Sequence, residues 1–192
     1  MIDIKIYKSG DIAPEIFETV SQLLHESFEE RRNQGISFKC GSFSALDVEH
    51  EFAGMGGYLL VAEEEGIIVG TVSLINRRKG KFTYASHDNL AVHSSCKGKG
   101  VASALFTEVL RLAQEQNLDF ITSYTATNAV SSVLYHKKMG FLVIGKSFGK
   151  GYNSYSFIYP LNCFKLLRNK PIRAVVYWVK TSIGYIKKKV RK

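Results

Sequence analysis

Ile2, Ile4 and Ile6 alternate with polar residues, the period-two pattern of a half-buried strand. The period then lengthens. Pro14 suits a first helical turn, and Ile16, Phe17, Val20, Leu23, Leu24 and Phe28 recur on one face at three- and four-residue steps. Ser44 and Asp47 fit a capping pair for a short helix reaching about Phe52. Tyr58–Glu64 and Ile67–Ile75 flank Glu65-Gly66 as the arms of a hairpin would, and Phe82–Val92 reads as a further strand. From Ala102 to about Gln116 the apolar positions are 102, 105, 106, 109, 110 and 113, an amphipathic helix. A strand over Asp119–Tyr124, a helix over Asn128–Met139, and strands near Phe141–Ile144 and Tyr152–Tyr159 complete the pattern. Antiparallel strands therefore precede a β-α-β-α-β-β run.

The most informative chemistry lies where Phe82–Val92 meets the helix at Ala102. The connecting residues are His93-Ser94-Ser95-Cys96-Lys97-Gly98-Lys99-Gly100-Val101. A helix start leaves backbone N–H groups unpaired, and its dipole favours an anion there. Gly98 and Gly100 carry no Cβ to block a phosphate, and Lys97 and Lys99 add positive charge. A diphosphate-bearing ligand suits such a bend. It is not a Walker-type P-loop, because Gly98-Lys99 is followed by Gly100 instead of serine or threonine. As a dinucleotide fingerprint it has Ser103 in place of the third glycine, and Asp119 opens the next strand where an acid should close one. An ordinary glycine turn before a helix is the bland alternative.

Leu90-Ala91-Val92 followed by Lys97-x-x-Gly100-x-Ala102 resembles the signature of the GNAT family of N-acetyltransferases, Gln/Arg-x-x-Gly-x-Gly/Ala after a strand ending Leu-Ala-Val. A second block, Asn128-x-x-Ser131-x-x-Leu134-Tyr135 running on to Gly140-Phe141, is similar to the family's Asn-x-x-Ala-x-x-Leu-Tyr-x-x-x-Gly-Phe helix. Two motifs in the right order extend the resemblance over about residues 2–160. It implies an α/β (α+β) fold, a GNAT-like mixed and strongly twisted sheet flanked by helices. It also implies acetyl-CoA as co-substrate and a small-molecule or peptide amine as acceptor. Leu90, Ala91 and Val92 would border the pantetheine arm, while Lys97, Gly98, Lys99, Gly100, Val101 and Ala102 would hold the diphosphate. Asn128 would bond near the arm, and it also suits the N-cap of its own helix.

The same resemblance places at Tyr135 the acid that protonates the departing thiolate. Four residues separate Tyr135 from Gly140-Phe141 where the family usually has three, so counting backwards puts His136 in that role instead. The base some relatives carry five residues before the asparagine falls on Ser123, which cannot serve. His87 and Asp88 are the candidates, directly or through water, since an acceptor amine with a pKa near ~10 must lose a proton before attack. A polar pair on an edge or at a bulge is the bland account of both. Arg31-Arg32 and the residues up to Lys39, with Gly149-Lys150-Gly151, are expected around the acceptor, their cations suited to a carboxylate or phosphate. Cys96 sits in the bend without an activating pair. The rival function is a non-catalytic acyl-CoA-binding module.

Charge then divides the chain. The net charge is +9, yet 10 of the 26 Lys and Arg fall in residues 165–192 with no acid among them, leaving 16 against 17 Asp and Glu before. Two units are expected: an acetyltransferase domain over 1–162 and a basic amphipathic helix over 163–192. After Pro171, Ile172, Val175, Val176, Val179, Ile183, Ile186 and Val190 share one face, bordered by Trp178 and Tyr185. That stripe suits an anionic membrane surface through 172–192, packing on the domain, or a homodimer; nucleic acid is the weaker fit. Three cysteines without metal spacing, no signal-peptide pattern and no long apolar run predict a cytoplasmic setting, peripheral to the inner face of a membrane if the tail binds there, and no metal.

Overall fold

The computed structural model describes residues 2–36, 44–53, 56–149 and 152–162. The expected basic helix, Cys40, Cys163 and the Lys150-Gly151 step lie outside these residues, as does the part of the acceptor segment from 37 to 39. The elements are β1 (Ile2–Lys8), α1 (Pro14–Asn33), α2 (Ala45–Ala53), β2 (Gly57–Glu64), β3 (Ile67–Lys79), β4 (Phe82–Val92), a 3-10 turn (Ser94–Cys96), α3 (Val101–Glu115), β5 (Phe120–Ala126), α4 (Val130–Lys138), β6 (Leu142–Gly149) and β7 (Tyr152–Pro160). They form one seven-stranded sheet in the order β1-β2-β3-β4-β5-β7-β6. β4 and β5 pair in parallel, and every other neighbouring pair is antiparallel.

Both faces of the sheet are covered, which explains the apolar run of β2. Leu59 and Val61 join Phe17, Val20, Leu23 and Leu24 of α1 on one face. Leu60 and Ala62 point the other way, into a larger cluster with Leu105, Phe106 and Val109 of α3 and with Phe157. Helix α3 thus keeps the expected face, shifted slightly: Val101 and Leu112 are buried, while Ala102 and Leu110 are only partly so.

Two expected boundaries move. The turn after β5 delays α4 to Val130, and the residue preceding it, Ala129, makes no side-chain cap. Asn128 therefore does not cap this helix. Its side chain is turned elsewhere. β3 runs on to Lys79, longer than its apolar stretch, because the antiparallel partner β4 carries the ladder as far as Lys79 opposite Phe82.

The start of α3 rests on β3 at Gly70, where an added Cβ would lie 2.7 Å from Cγ1 of Val101. Gly70→Val should therefore lift the first turn of α3 and lower stability by about 1–3 kcal/mol, the usual cost of overpacking. Urea unfolding of the variant beside the parent checks this, and an unchanged midpoint would show that the contact is slack.

Candidate functional site

Strands β4 and β5 are paired only from Tyr84–Ser86 against Phe120–Thr122. Beyond Ser86 they part, and the ladder between β3 and β4 changes register at the same level. Thr71 faces Ala91 and Ser73 faces Asp88, so Asn89 and Leu90 both stand opposite Val72. This is a β-bulge, and Asn89 takes the left-handed conformation (φ 54°) that asparagine tolerates better than most residues. The bulge leaves the β5-facing edge of β4 without a strand partner from His87 onward.

At the end of this open edge the chain turns through Ser94–Cys96 and enters α3. Gly98 and Gly100 have φ of 80° and 85°, which side-chain-bearing residues adopt only with strain. Open space lies where their Cβ atoms would be. Among the described residues, the amides of Gly98, Gly100, Val101, Ala102 and Ser103 donate to no backbone oxygen. The bend, the end of β4, the C-terminal part of α1 and α4 together line a cleft of about 570 Å³, reached by Leu90, Val92, Lys97, Ser131 and Tyr135. Uncommitted donors at one end and an unpaired strand edge along the side fit a long ligand headed by a diphosphate. Lys99 is exposed at the mouth.

The four candidate acid–base residues separate. His87 lies opposite Leu74, on the α3 face, between the rings of Phe106 (5.7 Å) and Tyr135 (6.2 Å). It is completely enclosed, and burial first, then the nearby His136, pushes its pKa down to about 3. Its Nε2 has no hydrogen-bond partner. Asp88 projects to the other face, because it stands opposite Ser73, which stands opposite Leu59 of the α1 cluster. Burial raises its pKa, with Ser86 and Arg77 acting in the opposite sense. Tyr135 lines the cleft, its hydroxyl 3.4 Å from the Ala102 carbonyl, and burial raises its pKa well above the ordinary phenol value.

His136 points inward instead. Its ring stacks on Phe157 at 4.5 Å, its Nδ1 lies 2.7 Å from the Ser132 carbonyl, and its Nε2 lies 2.8 Å from the Ser123 hydroxyl. Burial lowers its pKa. The Ser123 hydroxyl also reaches the His87 carbonyl at 3.0 Å, so its single proton serves one acceptor at a time. Ser123 had no role in the sequence pattern, yet it bridges β4 and β5 just where they part. Cys96 is buried, with Sγ 3.5 Å from Oε2 of Glu64.

Helix α1 closes the cleft from above, through residues that hydrophobic periodicity does not mark. Glu30 forms an ion pair with Lys97 of the bend. Arg31 donates from Nη2 to the Leu90 carbonyl at 3.3 Å, and the Asn128 amide donates to the Gly35 carbonyl at 2.9 Å. Three expected ligand-contacting positions, Leu90, Lys97 and Asn128, are thus engaged by the end of α1 and its following turn.

Comparison with known proteins agrees with this geometry. The model of the Acetyltransferase (GNAT) family matches residues 17–141. The mouse protein "Probable N-acetyltransferase family 8 member 5" is 26% identical over 110 residues, 56% of this chain and 48% of the mouse protein, so the chain spans about half the length of the curated relative it matches. An N-acetyltransferase from Staphylococcus aureus Mu50 superposes with a TM-score of 0.66 at 15% identity, over 84% of this chain and 98% of its own. The Salmonella typhimurium protein yncA, solved with its cofactor acetyl-CoA, gives 0.64 at 15% identity, over 83% and 94%.

The buried histidines make acid stability a direct check of the site. His87 stays neutral in the fold and burial opposes protonation of His136, while the unfolded chain binds protons at both below about pH 6.5. Because the folded pKa is the lower one, stability should fall as pH drops from about 6.5 toward 5, before the carboxylates titrate. His87→Gln should flatten that part of a melting-temperature profile. An equally steep profile in the variant would mean that His87 is solvated.

Proposed function

Because the chain belongs to the GNAT acetyltransferase family, we propose that it moves an acetyl group from acetyl-CoA to the amine of a small-molecule or peptide acceptor, by direct attack in a ternary complex. One observation carries this: the amides of Gly98, Gly100, Val101, Ala102 and Ser103, which donate to no backbone oxygen among the described residues, open onto a cleft that continues along the free edge of β4. The amides and Lys97 and Lys99 bind the diphosphate of the thioester. The edge at Leu90, Ala91 and Val92 receives the amide-bearing arm as an added strand would be received. Binding of acetyl-CoA to yncA, a protein of the same fold, supports this use of the cleft.

The residue roles follow from which face each side chain occupies. Tyr135, lining the cleft and held protonated, donates to the departing thiolate; His136 is committed to Ser132 and Ser123 and does not. Asp88, on the α1 face beside the bulge, takes the amine proton directly or through water. His87 is unsuited, since its ring is enclosed among aromatics on the opposite face and resists protonation. A backbone N–H of the 89–91 bulge stabilises the oxyanion that develops on the thioester carbonyl. Asn128 exchanges its bond to Gly35 for one to the bound arm.

Isothermal titration with acetyl-CoA should give one site per chain. Gly100→Val should weaken it at least tenfold, because a β-branched residue cannot hold φ near 85° without strain. Thiol release in the presence of acceptor amines reports transfer. Absence of binding, or release no faster than hydrolysis with every amine offered, would falsify the transferase assignment. Tyr135→Phe should lower kcat roughly 100-fold or more while leaving acetyl-CoA affinity nearly unchanged. Asp88→Asn should remove the acid limb of the kcat/KM profile, in which activity falls as pH drops through the raised pKa of Asp88. Retention of that limb would assign the base elsewhere.

A further inference from the structure

Of the described cations that line the cleft, Lys97 is paired with Glu30 and Lys138 is exposed, which leaves Arg31 as the one held beside the parting of β4 and β5 and explained by neither the diphosphate bend nor an acidic partner. Its guanidinium is largely removed from water, which lowers its pKa. It lies over the Phe28 ring at 4.7 Å and donates one bond, at 3.3 Å, to the Leu90 carbonyl. Among the described residues its neighbour Glu30 is the acid that acts on it, but that carboxylate is held by Lys97 and Gln34. A guanidinium has five N–H donors in a fixed fork, so most of its capacity is unspent on hydrogen-bonded side chains. Its charge is felt across the splay, where it opposes protonation of His136 on α4. Next to it in sequence, Arg32 is exposed and outside the cleft lining.

Position along the cleft decides what this cation meets. The bend at Gly98–Ser103 has its own cations, Lys97 and Lys99. The arm between a CoA diphosphate and its thioester is uncharged, and so is an acetyl group. A partly buried guanidinium level with Leu90, at the bulge, is therefore left for the group attacking the thioester. Resting on the transferase function proposed above, we infer that Arg31 is an acceptor-specificity residue: it anchors a carboxylate on the acceptor, which is an amine carrying a free carboxylate, as an amino acid does. The planar fork suits a carboxylate bound through both oxygens, and a desolvated setting strengthens the pair. The Phe28 face holds the guanidinium in place before the acceptor arrives.

The test pairs each of a panel of L-amino acids with its carboxamide, using acetyl-CoA and thiol release with the full chain. The acids should be preferred in kcat/KM by roughly 10- to 100-fold, the value of a charge-assisted hydrogen-bonded pair. Arg31→Gln should erase the preference by raising KM for the acids, with the carboxamides changed less than about threefold. Arg31→Lys should restore only part of it. Titration of both variants with CoA should give affinities close to that of the parent, which also shows that they fold. Four results would overturn the assignment. The carboxamides are used as well as the acids; none of the panel is acetylated; Arg31→Gln lowers CoA affinity in step with activity, which places Arg31 in the CoA site; or succinyl-CoA outruns acetyl-CoA in the parent and loses that advantage in Arg31→Gln, which puts the carboxylate on the acyl group. If the parent binds no CoA at all, the transferase function fails as a whole; if it binds CoA and acetylates only carboxylate-free amines, the Arg31 assignment alone fails.

Discussion

The parting of β4 from β5 is the constraint on which the rest of the site depends. Three residue pairs of parallel ladder hold the strands together, and the bulge at Asn89 and Leu90 then bends β4 away. A continuous sheet would satisfy those backbone groups internally and leave nothing for a ligand. Parting exposes one strand edge in the middle of a sheet whose faces are both covered by helices. Unpaired backbone groups in such a place are costly unless water or a ligand meets them. The bulge also reverses side-chain alternation, so that Asp88 and Ala91, three residues apart, share the α1 face.

Electrostatics of the cleft are balanced for exchange. Lys97 and Glu30 form a pair in which both side chains remain substantially exposed, at 48% and 40%. Exposed pairs of this kind contribute only about 0–1 kcal/mol, so Glu30 holds Lys97 weakly. The Glu30 pKa is held below the usual carboxylate range, chiefly by its hydrogen bond to Lys97. Arg31 is different, being partly buried and, among the described residues, without an acidic side chain of its own to hold. One helix end therefore carries a weak, exposed ion pair beside the glycine bend and a partly buried cation beside the bulge. Phe106, His87 and Phe141 form an aromatic cluster packed behind Tyr135, the member that lines the cleft.

Much of this was legible in the chain itself. The period-two and three-to-four-residue patterns located every described strand and helix within a few residues, because each element buries one face of a sheet or of a helix packed on it. The Lys97–Ala102 bend was legible for a different reason: left-handed glycines before a helix produce unpaired amides whatever surrounds them. The Asn128 cap failed because α4 begins only at Val130, and the side chain instead donates to the Gly35 carbonyl, ninety-three positions away in sequence. No local pattern carries that information.

The catalytic candidates mark the same boundary. Sequence placed His87 and Asp88 side by side, and Tyr135 and His136 side by side, with chemistry able to suit any of them. Adjacent residues on a strand point to opposite faces, and adjacent residues on a helix diverge by about 100°. Only the packing of α3, α4 and β7 decided that His87 and His136 lie among aromatics while Tyr135 meets the cleft. Arg31 was one of several cations in a polar stretch until α1 docked over β4 and removed it from water. Periodicity and backbone chemistry are local properties, so the chain by itself determined the elements and the glycine bend with its unpaired amides. Burial and charge partnership depend on residues distant in sequence, so the tertiary structure alone decided which side chains face the cleft.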